Sequence, residues 1–246
     1  MPNHIQNKLR IYSENTNDIK VFLENIKGEK EVIDFDKIIP MPNVLNDTES
    51  STDVSKSLYY YLLMTDNNEL LNIAPHKSFF SADSFNDCTK DEKDEMMKVG
   101  EKYFSIYKEC GAFNWYDWRC DNWGTKWNAY ESYLCSSLDN KEVVIEFQTA
   151  WNGVPYLIEK LVSSYPNLSF EYKFADEDMG YNCGNGNGEN GLFTFDYIGG
   201  CNAESIKIYA ECWGYDEEDF YQDDKGIWHN RMFEDFDEED YNNFDD

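Results

Sequence analysis

Two stretches of strict alternation constrain the fold of this chain more than any other feature. Apolar side chains recur with a two-residue spacing at Val143, Ile145, Phe147 and Trp151, and the same spacing holds in residues 168–174. Successive side chains of a strand point to opposite faces, so this spacing predicts two half-buried strands. The intervening polar residues, such as Glu171 and Lys173, are expected on the other face.

The segments around these strands complete an order of elements. Ile5, Leu9 and Ile11 alternate with polar residues and predict a first strand, whereas residues 19–26 and 157–165 show helical spacing. The resulting order is β-α-β-β-α-β, the plan of a ferredoxin-like antiparallel sheet in the α+β class. Strands are expected near residues 3–12, 131–136, 142–150 and 168–175, and helices near 17–27 and 154–165.

A mostly helical insertion is predicted to interrupt this core at about residues 43–111. A short helix is expected around Ser57–Leu63. Thr89 and Glu92 form a capping box that opens a longer helix, and Gly111 ends it. The ferredoxin-like core is therefore expected to span residues 1–191 around the insertion.

Residues 192–246 are predicted to form a β-rich, acidic C-terminal extension. Leu192–Tyr197 and Ile206–Cys212 have strand-like spacing, and Asp223–Gly226 predicts a turn. From Tyr215 onward, 14 acidic residues stand against 2 basic ones, a net charge of −12, and the aromatic residues among them predict partial docking onto the domain or onto a partner. The acidic surface expected to meet a partner comprises Asp216, Glu217, Glu218, Asp219, Asp223, Asp224, Glu234, Asp235, Asp237, Glu238, Glu239 and Asp240.

The aromatic stretch from Phe113 to Tyr130 contains four of the seven tryptophans and predicts a packed corner. Motifs in and around it resemble the YubB-type ferredoxin-like family. They are Asp121–Ala129, Phe147–Trp151, Met1–His4, Phe35–Pro42, Tyr165–Leu168 and Asp176–Gly180. That family occurs on plasmids, phages and integrated elements and has no assigned activity. The resemblance, which reaches from Met1 to about Gly191 apart from a middle segment, implies a fold and a genomic setting but transfers no catalytic residue.

The motif also supplies the candidate binding pocket, made of Trp123, Thr125, Lys126, Trp127 and Asn128. Lys126 would be its single cation. The competing interpretation, which we favour, places the tryptophans in the core and pairs Lys126 with a neighbouring acid, because tryptophan usually contributes buried area first.

Two other segments invite a chemical interpretation. Residues 184–188 resemble a glycine-rich phosphate loop but lack a lysine and lead into a strand, so a flexible hairpin is favoured. Asp176, Glu177 and Asp178 could supply an acid and a base or, with nearby asparagines, bind calcium, but the spacing fits no calcium loop. A solvated charge run is favoured, and no metal or cofactor is expected.

Composition excludes several classes of protein. A net charge of −28 disfavours binding to nucleic acids or anionic membranes, because both depend on lysine and arginine. The sequence has no apolar run long enough for a membrane span and no signal-peptide core, which predicts a cytosolic protein. Its seven cysteines lack a Cys-x-x-Cys spacing and are expected to be reduced.

Three functional hypotheses follow. The preferred one is a non-enzymatic protein of a mobile element whose acidic surface mimics nucleic acid and occupies the basic groove of a host defence protein. The alternative is an enzyme or small-ligand binder with a pocket at the Trp-rich motif and the Asp176 region. The third, disfavoured by charge, is a nucleic-acid binder that uses aromatics on the sheet.

Overall fold

The computed structural model describes residues 2–136 and 140–232, and they divide into two compact units. The sheet unit is Met1–Ile38 with Trp127–Asp246, and the inserted unit is Ile39–Lys126. The strands are β1 His4–Tyr12, β2 Tyr130–Leu134, β3 Glu142–Ala150, β4 Ser169–Asp176, β5 Cys183–Glu189, β6 Leu192–Ile198, β7 Phe220–Gln222 and β8 Trp228–Asn230. The helices are α1 Thr16–Ile26, α2 Phe35–Ile38, α3 Thr52–Met64, α4 Asn68–Leu71, α5 Lys90–Cys110, α6 Trp115–Trp123, α7 Pro155–Ser164 and α8 Ala203–Trp213.

The sheet unit is built on a six-stranded antiparallel sheet in the order β2-β3-β1-β4-β5-β6. Its first four strands in chain order and the helices α1 and α7 follow the predicted β-α-β-β-α-β plan, so the α+β, ferredoxin-like prediction is confirmed. Residues 137–139, which connect β2 to β3, lie outside the described residues. Strands β5 and β6 extend the same sheet beyond β4.

Alternation assigns one face of the sheet to the core. Ile5, Leu9 and Ile11 of β1 are completely buried, as are the apolar residues of β3 and β4 beside them. Phe22 of α1 meets Phe170 of β4 edge to face, with ring centroids 5.6 Å apart. The helices therefore cover this face with aromatic contacts, each of which adds to the energy of buried area.

A polar network lies inside this core. Asn7, which is completely buried, donates from Nδ2 to Thr149 Oγ1 at 2.9 Å and accepts from the hydroxyl of Tyr172 at 2.6 Å. Tyr172 in turn accepts from the Val154 backbone N–H at the start of α7. Burial raises the pKa of Tyr172 well above its usual range. Because every member has a partner, the network fixes α7 against the sheet instead of destabilising the core.

The glycine-rich segment is a strand and not a phosphate loop. Gly184, Gly186 and Gly188 lie in β5, which pairs with β4 on one side and β6 on the other. A Cβ atom on Gly186 would lie 2.6 Å from the ring of Phe193, and one on Gly184 would lie 2.5 Å from the ring of Phe195. The glycines are therefore required because aromatic rings of β6 occupy the space above them.

One predicted element was wrong. Ile206–Cys212, predicted as a strand, lies within helix α8, because the Asn202 side chain accepts from the backbone N–H groups of Glu204 and Ser205 and caps a helix. The predicted aromatic corner is packed and contains helix α6, in which Trp118 and Trp123 are buried. Asn114 caps its start, and Gly124, with φ of 82°, ends it.

The inserted unit is helical, as predicted. Its longest helix, α5, begins at the expected capping box of Thr89 and Glu92 and ends at Gly111. Helices α3 and α5 approach closely at Gly100, where an added Cβ would lie 2.6 Å from the Ser57 carbonyl oxygen. Their shared core includes Leu58 and Tyr103.

Candidate functional site

The first half of the motif belongs to the inserted unit and is structural there. Trp123 is 1% exposed, donates from Nε1 to the Ile39 carbonyl at 2.9 Å, and meets Trp118 edge to face. The guanidinium of Arg119 lies 4.9 Å from the Trp123 ring centroid, a cation–π contact. Thr125 is buried as well. The core interpretation is confirmed for Trp123, and neither residue presents a surface to a ligand.

The second half of the motif belongs to the sheet unit, because the unit boundary falls between Lys126 and Trp127. Asn128 donates from Nδ2 to Asp34 and accepts the backbone N–H of Phe35 at 2.8 Å. Lys126 is half-buried, whereas Trp127 is 39% exposed. The prediction that Trp127 is a core residue was therefore wrong: of the five pocket residues, it alone is exposed.

Asp176 forms a buried junction at one end of the sheet. One carboxylate oxygen accepts from Asn3 Nδ2 and from the Asp178 backbone N–H, and the other accepts from Asn182 Nδ2, each at 3.0 Å. Trp213 of α8 donates to its carbonyl at 2.9 Å. Asp176 is 5% exposed. Its carboxylate is occupied in holding the chain start, the β4–β5 connection and α8 together, which argues against a catalytic acid or base.

The same end of the sheet carries a pair that the sequence did not reveal. His4 Nδ1 lies 2.8 Å from the hydroxyl of Tyr130, which donates to the Thr149 carbonyl at 3.1 Å. Because that hydroxyl proton is used, His4 is the donor of the first bond. Burial raises the pKa of Tyr130 to about 12. His4 lies on β1 and Tyr130 on β2, with β3 between them, so the strand order brings them together.

Exposed aromatics surround this end of the sheet. Trp127, Trp151 and Tyr181 are 39%, 44% and 58% exposed. The Trp127 ring meets Tyr130 edge to face at 6.2 Å, and the Trp151 backbone N–H donates to the Asn3 carbonyl. Aromatic rings beside polar side chains can bind a small ligand.

The face of the sheet opposite α1 and α7 is partly covered by α8, which packs against Ala175 and Cys183, and it does not resemble an RNA-binding platform. Lys8 pairs with Glu146 at 3.4 Å, and Lys173 pairs with Glu171 and with Glu211 of α8, both at 2.6 Å. RNA-binding modules of this fold stack bases on aromatics at the centre of the sheet. Here the central positions carry cations that acids already neutralise, which argues against the third hypothesis.

The structure describes the acidic C-terminal segment as far as Met232. A 3₁₀ turn at Glu217–Asp219 leads into the β7–β8 hairpin, and Phe220 packs into a cluster with Tyr209 and Ala210 of α8. The predicted partial docking onto the domain is thus observed for this part. Glu234, Asp235, Asp237, Glu238, Glu239 and Asp240 lie outside the described residues.

The six described acids of this segment differ in availability. Asp216 and Asp219 cap the 3₁₀ turn, and Asp223 accepts from the backbone N–H groups of Ile227 and Lys225. These bonds, with one from His229, hold the pKa of Asp223 below its usual value. The exposed members of the set are Asp216, Glu217, Glu218 and Asp224.

Several other features bear on chemistry. All seven cysteines are free, as predicted, and burial raises the pKa of the Cys183 thiol to about 12, which makes it a poor nucleophile. In the part of the chain that the structure covers, no group of three metal-binding side chains comes together. Within the same residues, no helix is both long enough and apolar enough to cross a membrane.

Comparison with known proteins supports a ferredoxin-like family. Residues 122–224, less than half of the chain, match a family described as the ferredoxin-like domain in Api92-like protein. No curated protein matches. The crystal structure of protein api92 from Yersinia pseudotuberculosis is similar at a TM-score of 0.41 and 9% identity, covering 81% of this chain and 99% of that chain. A likeness of that size carries no argument about function.

Proposed function

We propose that this chain is a non-enzymatic interaction protein that inhibits a host nucleic-acid-binding defence protein by presenting an acidic surface in place of nucleic acid. The motif resemblance to the YubB-type family supports a plasmid or phage origin and action inside the host cell. The observation that carries the proposal is the concentration of acidic residues in the C-terminal segment, whose described part carries six of them between Asp216 and Asp224.

The charge is concentrated at that segment. Residues 215–246 contribute −12 of the net −28. Duplex DNA carries one charge per about 1.7 Å, so this segment alone matches the charge of roughly 20 Å of duplex. The inserted unit, by contrast, holds 15 acids against 9 bases, a net charge of only −6. An uneven distribution of this kind favours a defined acidic surface over a general solubility effect.

The described part of the segment packs against α8. Phe220 is 7% exposed, and its ring lies edge to face with Tyr209 and Tyr215 at 5.9 Å each. Acids that are held on packed aromatics lose less freedom on binding than acids on a solvated tail. Exposed apolar side chains nearby, such as Ile227 and Tyr181, can supply the apolar part of an interface.

Competition binding tests the proposal. Purified nucleic-acid-dependent defence nucleases of bacteria would be titrated with the protein in the presence of a labelled duplex, at about 50 and 300 mM salt. At least one nuclease should release its duplex, and the inhibition should weaken at high salt because screening reduces the attraction. Failure to displace duplex from every nuclease tested, or inhibition that is equal at both salt concentrations, would overturn the mimicry account.

A matched pair of variants isolates the segment. Glu217→Gln, Glu218→Gln and Asp224→Asn remove three exposed charges without touching the carboxylates that cap backbone groups. We expect this triple variant to inhibit roughly five- to tenfold less well, on the scale of three exposed charge contacts. The control removes three exposed charges of α5, Asp94→Asn, Glu101→Gln and Glu109→Gln, and should inhibit like the parent.

The alternative function, a small-ligand binder, is supported by the exposed Trp127 and Trp151. Its test is fluorescence quenching by a metabolite library with the variants Trp127→Phe and Trp151→Phe as controls. Saturable binding that is lost in both variants would support it, and it would not require any change in the acidic segment.

A further inference from the structure

The two edges of the sheet differ in how they are protected. Strand β2 is short and irregular, with Glu131 at φ of 47°. On its outer side, the Ser132 hydroxyl accepts the Val32 backbone N–H and donates to the Glu31 carboxylate. Strand β6 at the other edge is regular over seven residues. It contains neither proline nor lysine, the residues that commonly blunt an edge strand. Among the described residues, no backbone hydrogen bond reaches its outer side.

The hairpin turn determines which backbone groups of β6 point outward. Asn190 and Gly191 have φ of 52° and 80°, the signature of a two-residue type I′ turn. Such a turn is closed by a hydrogen-bonded pair, here Glu189 and Leu192. Because hydrogen-bonded and non-bonded pairs alternate along antiparallel strands, the N–H and C=O groups of Phe193, Phe195 and Tyr197 face away from β5.

The sequence of β6 is complementary to itself in the antiparallel direction. Around Phe195, Thr194 mirrors Asp196 and Phe193 mirrors Tyr197. At the ends of the strand, Leu192 mirrors Ile198. Polar residues thus oppose polar ones, aromatic residues oppose aromatic ones, and the two aliphatic residues oppose each other.

We propose that β6 is a self-association site, at which it pairs antiparallel with β6 of a second copy of this chain about a two-fold axis through Phe195. In that register, Phe195 opposes Phe195 of the second copy, and the outward N–H and C=O groups of both strands satisfy one another. The two sheets then continue into a single sheet. A two-fold contact of this kind uses the same patch on both copies.

Side chains on β6 fit this arrangement. Phe195 stacks on Phe174 at 6.0 Å with an interplanar angle of 8°, and Phe193 lies 6.0 Å from Phe195. The rings therefore form a row that ends at the edge of the sheet. Leu192 and Tyr197 are 76% and 65% exposed. Pairing would cover this apolar surface and place the strand's one charge, Asp196, opposite a threonine.

The charge of the whole chain predicts how this association depends on salt. Two copies that each carry −28 repel one another, and the repulsion is screened as salt rises. Self-association should therefore strengthen between about 50 and 500 mM NaCl. This direction is opposite to the one expected for binding to a basic groove.

Sedimentation equilibrium of the full chain and two substitutions at one position test the register. Thr194 is exposed. In the dimer, Thr194 of each copy would oppose Asp196 of the other, which gives two such pairs. Thr194→Lys should tighten the dimer, and Thr194→Asp should weaken it, each roughly two- to thirtyfold, from two opposite-charge or like-charge cross-strand pairs. The same substitutions at Ser105, which is exposed on α5, control for net charge. The dimer dissociation constants of Ser105→Lys and Ser105→Asp should agree within about twofold.

The outcomes separate the possible occupants of the edge. A parent chain that stays monomeric at about 200 µM in 500 mM NaCl would overturn the proposal, as would a dimer that responds alike to lysine and aspartate at position 194. A chain that dimerises only after removal of residues 233–246 would assign the edge to its own C-terminus and overturn it too. Slower amide exchange of Phe193, Phe195 and Tyr197 at high protein concentration would support it.

Discussion

At the scale of single residues, the motif divides between two tasks. Trp123 contributes buried area in the inserted unit, Asn128 binds backbone and carboxylate in the sheet unit, and Trp127 is exposed. Composition and spacing predicted the burial of Trp123, because tryptophan is usually buried. They could not separate Trp127 from it, because four residues along an aromatic stretch give no sign of a boundary between two units.

Truncation of the two tryptophans should therefore have unequal effects. Trp123→Ala removes a side chain that is 1% exposed and should lower the free energy of unfolding by about 3–5 kcal/mol. Trp127→Ala, at 39% exposure, should cost roughly half as much or less. Urea denaturation of both variants measures the difference. Equal losses would show that Trp127 is a core residue after all.

Asp117 of α6 predicts a dependence on pH. Burial, with the charge of Asp121, raises its pKa to about 6 although Asn114 donates to it at 2.7 Å. An acid whose pKa is raised by folding contributes stability below its unfolded pKa of about 4, and that stability is lost as pH rises through about 6.

Asp117→Asn keeps the shape and removes the titration. The unfolding free energy of the variant minus that of the parent should increase by about 1–3 kcal/mol as pH rises from 4 to 8. Thermal melts of both proteins at several pH values give this difference, in which the other titrating groups cancel. A difference that is independent of pH would mean that the carboxyl titrates normally.

At the scale of elements, long periodic segments were predictable and short ambiguous ones were not. Strands β1, β3 and β4 alternate over eight or nine residues, which only a half-buried strand explains. Ile206–Cys212 also shows apolar residues at every second position, but a segment of only seven residues fits both the strand period of two and the helix period of 3.6. The cap at Asn202, and likewise the cap at Asn114 of α6, were the signals that could have decided.

The glycines of β5 were visible in the sequence, but their reason lies in the neighbouring strand. Gly186→Ala would place Cβ 2.6 Å from Phe193 and 2.7 Å from the Thr194 carbonyl oxygen. We expect a loss of about 1–3 kcal/mol from overpacking. Gly199→Ala is the matched control, since no atom lies within 4 Å of its Cβ position, and it should be nearly neutral in chemical denaturation. If both substitutions are neutral, the rings do not restrict β5.

At the scale of the whole molecule, the net charge of −28 should oppose folding at low ionic strength. Raising salt from about 10 to 150 mM shortens the screening length from about 30 to 8 Å. The thermal midpoint should therefore rise with NaCl, and rise less in the variant neutralised at Glu217, Glu218 and Asp224. Calorimetry at low protein concentration checks this, and a midpoint that does not change with salt would show that the repulsion is negligible.

The insertion of one unit into another also affects how quickly the chain can fold. Strand β1 must find β3 and β4 across residues 39–126, and closing a flexible loop of that length costs roughly 4 kcal/mol beyond a constant term. Asn128 binds Asp34 and Phe35, so the points where the chain leaves and re-enters the sheet unit are adjacent. An insertion that folds early would bring these points together before the sheet forms. We therefore expect substitutions in the α3–α5 core to slow the formation of a sheet that contains none of their residues.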